Sequence, residues 1–192
     1  MSELNSQENA RYFQLALLGF ALYAILYFFV AFSIGKVRGK VFNKEFMSQF
    51  NEEHQKAFGC DAPVGGHPDD GNGYYGQRLS YGDWYEINNW QRAHMNFLET
   101  ITPVAVMTLI TCINRPLWGC ICIYTLVLGR LLYAIGYCKS GPKGRVVGAI
   151  ITDLALLGVL VGGFVSIFSW EEGRMLPISQ EKYASVMQAQ SA

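Results

Sequence analysis

The chain has few charged residues for its length. Asp, Glu, Lys and Arg make up 16% of its 192 residues, whereas 51% are apolar. In a soluble domain roughly a quarter of the residues are charged. The charges are also unevenly distributed, because many of them lie between Lys36 and Arg92 and long stretches elsewhere contain none. This pattern is typical of a membrane protein.

The chain also lacks an excess of either charge and a regular cysteine pattern, which excludes further classes of protein. Lys and Arg together number 15, as do Asp and Glu, so the net charge is zero and no nucleic-acid partner is expected. The five cysteines form neither a disulfide framework nor the paired spacing of a zinc ribbon. Before the first apolar run, Glu3 and Glu8 outnumber Arg11. We therefore expect a retained anchor helix rather than a cleaved secretory signal.

Four apolar windows cover residues 12–34, 90–113, 117–138 and 146–168. At about 1.5 Å per residue, a helix of about 20 residues crosses the roughly 30 Å hydrocarbon layer. Backbone groups in lipid must bond within their own segment, so each window should be an α-helix. The short links at Asn114-Arg115-Pro116 and Ser140-Gly141-Pro142 predict antiparallel neighbours. We therefore predict one all-α integral membrane domain over residues 1–192, with an up-down bundle of four transmembrane helices.

The basic residues of the loops predict the orientation. Four lie on the face that carries the termini: Arg11, Arg115, Arg174 and Lys182. Ten lie on the face that carries the first and third loops: Lys36, Arg38, Lys40, Lys44, Lys56, Arg78, Arg92, Lys139, Lys143 and Arg145. Because cytoplasmic loops carry the excess of Lys and Arg, this distribution predicts a cytosolic loop over residues 36–89. Both termini, with the tail 171–192, are then lumenal.

The long loop contains two distinct segments. The glycine-rich run from Gly65 to Gly73 is incompatible with helix or strand and predicts a flexible excursion. Apolar residues among charges over residues 43–58 predict an amphipathic surface helix. The loop also contains candidate metal ligands: His54, Cys60, His67, Asp69 and Asp70. Their spacing matches no regular site, so a solvated loop without metal is the favoured interpretation.

Glu99, Arg130 and Asp153 lie inside the apolar windows. A charge at the bilayer centre costs about 2.5 to 3.5 kcal/mol on insertion scales, so such residues usually face partners inside the bundle. The helical rise places each of them roughly 10 to 13 Å from the cytosolic end of its helix. They are predicted to share one layer and to neutralise one another. A Glu99–Arg130 pair that merely holds two helices together is an equally acceptable interpretation.

Polar residues extend from this layer towards the cytosol. On the second window a single helical stripe contains Arg92, Asn96, Glu99 and Pro103. On the third window a stripe contains Arg130, Tyr133 and Tyr137. Guanidinium groups suit the carboxylates of a zwitterionic ligand, Glu99 suits its amine and Asn96 its amides. The alternative for the two tyrosines is a role as interfacial aromatic anchors.

Two segments of the sequence resemble a known family. The run from Arg92 to Ile101, with the pattern R-A-H-x-N-x-x-E-x-I, and the run from Arg130 to Tyr137, followed by Arg145, are similar to the MAPEG family of membrane-associated proteins in eicosanoid and glutathione metabolism. The branch they resemble contains the microsomal glutathione transferases and microsomal prostaglandin E synthases. The resemblance implies a homotrimer in the endoplasmic reticulum membrane, with glutathione bound as co-substrate between subunits near the cytosolic face and no metal.

The same resemblance assigns roles to residues. It implies that Arg145 and Tyr137 are catalytic, with Arg145 against the glutathione sulfur. Arg130 and Asp153 remain structural intramembrane charges. The implied glutathione contacts are Arg38, Arg92, His94, Asn96, Glu99, Tyr133 and Tyr137.

The predicted function is a membrane-bound glutathione transferase, with peroxidase activity as a further expectation. Besides other copies of the chain and glutathione, the expected partners are membrane lipid and a lipophilic electrophile or lipid hydroperoxide. The alternatives are a non-catalytic lipid-binding adaptor of the same fold and a glutathione-dependent eicosanoid isomerase or synthase. A channel is disfavoured, because the lumenal halves of the four windows are almost wholly apolar.

Overall fold

The computed structural model describes residues 2–169 and Gln188, with side chains from residue 6 onward. Within residues 2–169 all regular secondary structure is helical. The helices are α1 (Ser2–Val41), α2 (Lys44–Ser48), α3 (Asn51–Phe58), a 3₁₀ turn (Gly76–Arg78), α4 (Tyr81–Asn114), α5 (Pro116–Gly144) and α6 (Val146–Phe168). Apart from Gln188, the tail predicted to be lumenal at 171–192 lies outside the described residues.

Four of these helices are long and apolar enough to cross a membrane. They cover Ser6–Val41, Tyr81–Asn114, Pro116–Gly144 and Val146–Phe168. The prediction of an all-helical fold with four such helices is therefore confirmed for the described part of the chain. Three of them are longer than their apolar windows, and because α1 and α4 are among these three, the loop predicted from residue 36 to 89 is shorter. The C-terminal end of this loop lies at Ser80 rather than at residue 89. The Ser80 hydroxyl accepts a hydrogen bond from the Asp83 amide and so caps α4, which begins at Tyr81.

The described residues form two compact units. Unit 1 comprises Ile101–Leu128 with the described parts of Met1–Tyr23 and Ile150–Ala192. Polar side chains join its helices, because Asn114 Nδ2 donates to the Ser166 carbonyl (2.9 Å) and Trp118 Nε1 to the Gly158 carbonyl (2.9 Å). A cavity of about 480 Å³ lies beside Asn114 and Trp118. None of the predicted site residues lines this cavity.

Unit 2 comprises Ala24–Thr100 and Gly129–Ala149. One of its cores contains Val37, Val41, Phe42, Met47, Phe50, Ala62 and Ile87. The segment 43–58 contributes two of these side chains and forms two short helices, so the single amphipathic surface helix predicted there is wrong. Asn43 caps α2 by accepting from the Phe46 amide (2.9 Å). Met47 and Phe50 of this segment are buried against protein, whereas Phe58 at its end is exposed.

The glycine-rich run folds around the buried carboxylate of Asp69. Asp69 Oδ1 accepts from the amides of Gly71 (2.7 Å) and Gly73 (2.8 Å), and Oδ2 accepts from that of Gly76 (2.7 Å). Gly71 has φ of 104°, which glycine adopts without strain. The predicted flexible excursion is therefore an ordered loop, because flexible glycine backbone brings several N–H groups to one carboxylate. No cluster of three or more candidate metal ligands occurs in the part of the chain that the structure describes.

Burial alone would raise the pKa of Asp69, but the amides of Gly76, Gly73, Gly71 and Tyr75 outweigh it and hold the pKa below its ordinary value. The loop is tied to α4 as well. Asn88 Nδ2 donates to the Gly71 carbonyl (3.3 Å), and Gln91 Nε2 donates to the Asp70 carbonyl (3.0 Å). The segment between α1 and α4 is thus a folded cap rather than a loose connection.

The junction of α5 and α6 brings two backbones together. Gly141, at φ 67° and ψ −156°, breaks α5 near its end, as the Ser140-Gly141-Pro142 sequence predicts. A methyl group placed on Gly148 would lie 2.1 Å from the Tyr133 backbone nitrogen. Only glycine permits this approach, which fixes the start of α6 against α5.

Candidate functional site

Arg130 is the largest fully buried side chain of the described residues, with 2% of its surface exposed. Its Nη1 donates to Asn96 Oδ1 (2.6 Å), and its Nη2 donates to Thr100 Oγ1. The guanidinium carbon also lies 5.2 Å from the centre of the Phe97 ring. A cation in an apolar helix is thereby held by hydrogen-bond acceptors and a ring from a neighbouring helix.

The predicted Glu99–Arg130 pair does not form in unit 2. Glu99 is exposed and takes part in none of the three ion pairs found among the described residues. Consecutive residues of a helix are about 100° apart around its axis. When Asn96 and Thr100 face Arg130, the side chain of Glu99 therefore points in another direction. The neutral Asn96 and Thr100 hold the cation instead of the carboxylate.

Tyr133, Tyr137 and Arg145 form a second group in the same unit. Arg145 Nη1 donates to the Tyr133 hydroxyl (2.9 Å). The Arg145 guanidinium carbon lies 5.8 Å from the centre of the Tyr133 ring and 5.4 Å from that of Tyr137. Both tyrosines are buried, and they pack with Ala93 of α4. A role for Tyr133 and Tyr137 as exposed interfacial anchors does not fit this burial.

Tyr133 connects the two groups, because its ring centre also lies 5.7 Å from the Arg130 guanidinium carbon. We call Arg130, Tyr133, Arg145 and Tyr137 the guanidinium row. Arg130 and Arg145 give the row two permanent positive charges. Such an arrangement attracts anions and can stabilise a developing negative charge next to Arg145.

The remaining predicted contacts lie apart from the row. Arg38 is buried at the end of α1, and its Nη2 donates to the Gly65 carbonyl of the cap (2.9 Å). His94 stacks on Tyr27 with ring centres 5.3 Å apart, and its Nε2 has no hydrogen-bond partner among the described residues. Arg92 is exposed, like Glu99. The structure thus brings Asn96 and Tyr133 to Arg130, and Tyr137 and Arg145 to Tyr133. No such contact is seen for Arg38, Arg92 or His94 among the described residues.

Two other residues complete the account. Thr100 bonds Arg130 and was absent from the predicted site, although its position four residues after Asn96 places it on the same helical face. Asp153 is exposed and belongs to unit 1. Its place in a common layer with Glu99 and Arg130 stays a prediction.

Comparison with known proteins adds one finding. A protein-family model, that of the MAPEG family, matches residues 16–165. The chain belongs to the MAPEG family. No curated protein matches it, and no solved structure does either. The region that matches the MAPEG model includes the cap, Asn96 and the whole guanidinium row.

Proposed function

We propose that this MAPEG chain is a membrane-bound glutathione transferase of the microsomal type, with peroxidase activity towards lipid hydroperoxides. The observation that carries the proposal is the position of Arg145 over the rings of Tyr133 and Tyr137, with Arg130 also near the Tyr133 ring. Glutathione has two carboxylates, one amine and one thiol. The row offers its charges to the anionic groups of such a ligand, and Asn96 offers an amide.

The chemical task of Arg145 in this proposal is to ionise the thiol. An unperturbed thiol has a pKa of about 8.5, so a minor fraction is thiolate at neutral pH. A guanidinium beside the sulfur favours the thiolate, and each unit of lowering corresponds to about 1.4 kcal/mol. Arg145 suits this role because a guanidinium stays charged at every physiological pH.

The thiolate then attacks the second substrate. With an electrophilic carbon, a C–S bond forms and the leaving group departs with its electron pair. With a hydroperoxide, an S–O bond forms while the O–O bond breaks, and the alkoxide takes up a proton to become an alcohol. A second glutathione then reduces the sulfenic acid to give the disulfide and water. The Tyr137 hydroxyl is assigned the hydrogen bond to the departing oxygen.

The exposed Glu99 supports assembly of this site from several copies. Glu99 lies mid-way along α4, about 27 Å from Tyr81 by the helical rise. An isolated carboxylate facing hydrocarbon costs about 2.5 to 3.5 kcal/mol or more, so a second subunit is expected to cover it. We therefore propose a homotrimer in the endoplasmic reticulum membrane, with the site between subunits, near the cytosolic face.

The first experiment tests binding and turnover together. The protein is purified in detergent, glutathione binding is measured by calorimetry, and turnover is measured with an aromatic halide and with a lipid hydroperoxide. Binding with turnover of either substrate supports the transferase. Lipid binding without glutathione binding would instead indicate the adaptor. Turnover confined to an eicosanoid endoperoxide or epoxide would indicate the isomerase or synthase.

Arg145→Ala is expected to lower turnover by about 10- to 100-fold, because about 1.4 to 2.8 kcal/mol of thiolate stabilisation is lost. Glutathione affinity should change little, and the pKa of the bound thiol, followed by its ultraviolet absorbance, should rise towards that of the free thiol. Lys143→Ala removes an exposed cation two residues away and is the matched control. Turnover by Arg145→Ala equal to that of the parent would refute the role.

Glu99→Gln is expected to weaken the trimer or its glutathione affinity, because it removes the charge that a second subunit is proposed to cover. The mass of the detergent-solubilised assembly and the glutathione Kd are the measurements. Glu45→Gln, an exposed site in the cap, serves as control. A trimer of normal stability and affinity would count against the role of Glu99.

A further inference from the structure

The cap contains a groove that the glutathione proposal does not use. It has a volume of about 230 Å³ and lies beside α3. Its lining residues are Phe50, Glu53, His54, Ala57, Phe58, Tyr74 and Tyr75. The first five follow helical spacing i, i+3, i+4, i+7 and i+8, so they share one face of α3 and its N-cap. Ala57 has only a methyl group, which leaves space between the larger rings.

Five of the seven lining residues are aromatic, and we therefore call this cavity the aromatic groove. The Phe50 ring centre lies 4.7 Å from that of Tyr75 and 6.0 Å from that of Tyr74. On α3, His54 and Phe58 lie 4.8 Å apart by the same measure. Ring faces carry negative electrostatic potential, so several rings around one cavity attract a cation.

A carboxylate adds to this potential. Glu53 lines the aromatic groove, and its Oε2 accepts a hydrogen bond from the Tyr74 hydroxyl (2.7 Å). The rings already hold one cation. The Arg78 guanidinium carbon lies 5.1 Å from the Phe50 ring centre and 5.7 Å from that of Tyr74, and its Nη2 is 3.7 Å from Glu53 Oε1. Arg78 is not among the residues that line the groove.

The cap lies next to the ends of two membrane-crossing helices. Its core packs Met47 and Phe50 with Val37 and Val41 of α1 and Ile87 of α4. Two rings of the groove remain accessible, since 73% of Phe58 and 58% of Tyr74 are exposed. Because the cap packs on the ends of two helices that are expected to cross the membrane, the aromatic groove is expected beside the membrane surface, at the level of lipid headgroups.

We propose that the aromatic groove binds a quaternary ammonium group, and that the phosphatidylcholine headgroup supplies it. A quaternary ammonium has no N–H donor, so it does not need carbonyl acceptors. It is recognised by aromatic rings with a nearby carboxylate, and the groove contains both. Its methyl groups also fit a largely apolar cavity of this size.

The test uses the full chain in dodecyl maltoside, a detergent without an ammonium group. Choline chloride and its neutral isostere 3,3-dimethylbutanol are titrated by calorimetry. The two probes have the same shape and differ in charge. Saturable binding of choline with little binding of the alcohol is expected. Equal affinity for the two probes would overturn the proposal, because shape alone would then explain binding.

Variants connect the binding to the groove. Phe58→Leu keeps an apolar side chain and removes a ring face, so it should weaken choline binding about five-fold. Glu53→Gln should weaken it as well. Tyr81→Leu removes another exposed ring outside the groove and should have no effect. Circular dichroism and size-exclusion profiles check the folding of each variant. Parental affinity in folded Phe58→Leu would refute the site.

A lipid arm identifies the source of the ammonium group. The protein is placed in nanodiscs with spin-labelled phosphatidylcholine or spin-labelled phosphatidylglycerol, and the motionally restricted fraction is measured. A larger restricted fraction of phosphatidylcholine, lost in Phe58→Leu, supports the headgroup. Choline binding without this lipid preference would keep the ammonium site and overturn the lipid assignment. Neither result depends on glutathione turnover.

Discussion

Two of the charged residues buried in unit 2, Asp69 and Arg130, are satisfied in opposite ways. Asp69 in the cap accepts hydrogen bonds from backbone amides of its own loop. Arg130 in α5 is bonded to side chains of another helix, those of Asn96 and Thr100. A membrane helix uses its backbone groups for its own hydrogen bonds, so a buried charge there depends on distant side chains. A glycine-rich loop has unused amides, so a charge there is satisfied locally.

The largest expected effect is that of Asp69→Ala. It orphans three amides that now bond a carboxylate, and should lower the free energy of opening of the loop by about 3 to 5 kcal/mol. Hydrogen exchange of the Gly71, Gly73 and Gly76 amides measures this. Asp70→Asn, at the exposed neighbour, is the control and should leave protection nearly unchanged. Preserved protection in Asp69→Ala would show that the carboxylate does not organise the loop.

Asn96→Ala tests the other half of the comparison. It leaves one Arg130 donor without its acceptor and should destabilise the protein by about 2 kcal/mol, because hydrogen bonds to charged groups contribute about 1.5 to 3 kcal/mol. Thermal unfolding in detergent measures the effect. Asn96→Asp keeps an acceptor and should retain parental stability or exceed it. Equal unfolding of the Ala variant and the parent would mean that Thr100 and Phe97 suffice for Arg130.

Lowering the pH below about 4 should open the Asp69 loop while leaving the Arg130 contacts in place, with a smaller effect on stability than the two substitutions. The folded pKa of Asp69 lies below its ordinary value, so the loop gains stability that is present above about pH 4 and is lost as pH falls through the folded pKa. Arg130 stays protonated throughout. Trp84 Nε1 donates to Asn72 Oδ1 in the loop, so its emission, obtained by difference from Trp84→Phe, reports opening. Opening already complete at pH 6 would contradict the assignment.

The sequence predicts the membrane part of this molecule better than its cap. Apolar length alone identifies four helices, and two motifs identify the family. The predicted Glu99–Arg130 pair does not form, because the depth of a residue along its helix does not give the direction of its side chain around the helix. Asp69 was predicted to lie in a solvated loop. Composition shows that glycine amides are available, but it does not show which carboxylate will accept their hydrogen bonds. The Arg130–Thr100 contact follows from helical spacing, once Asn96 is known to face Arg130.

The contact of Gly148 with the Tyr133 backbone sets the distance between Arg145 and Tyr133, so a single added methyl group at position 148 would change that distance. Arg145 precedes this contact by three residues and bonds the hydroxyl of the same tyrosine. Any side chain at position 148 would push α6 away from α5 and move Arg145 away from Tyr133, although the four residues of the row would be unchanged. Relatives with a bulkier residue at the equivalent place would carry the same four side chains at a different spacing, which under the proposed function would suit substrates of another size.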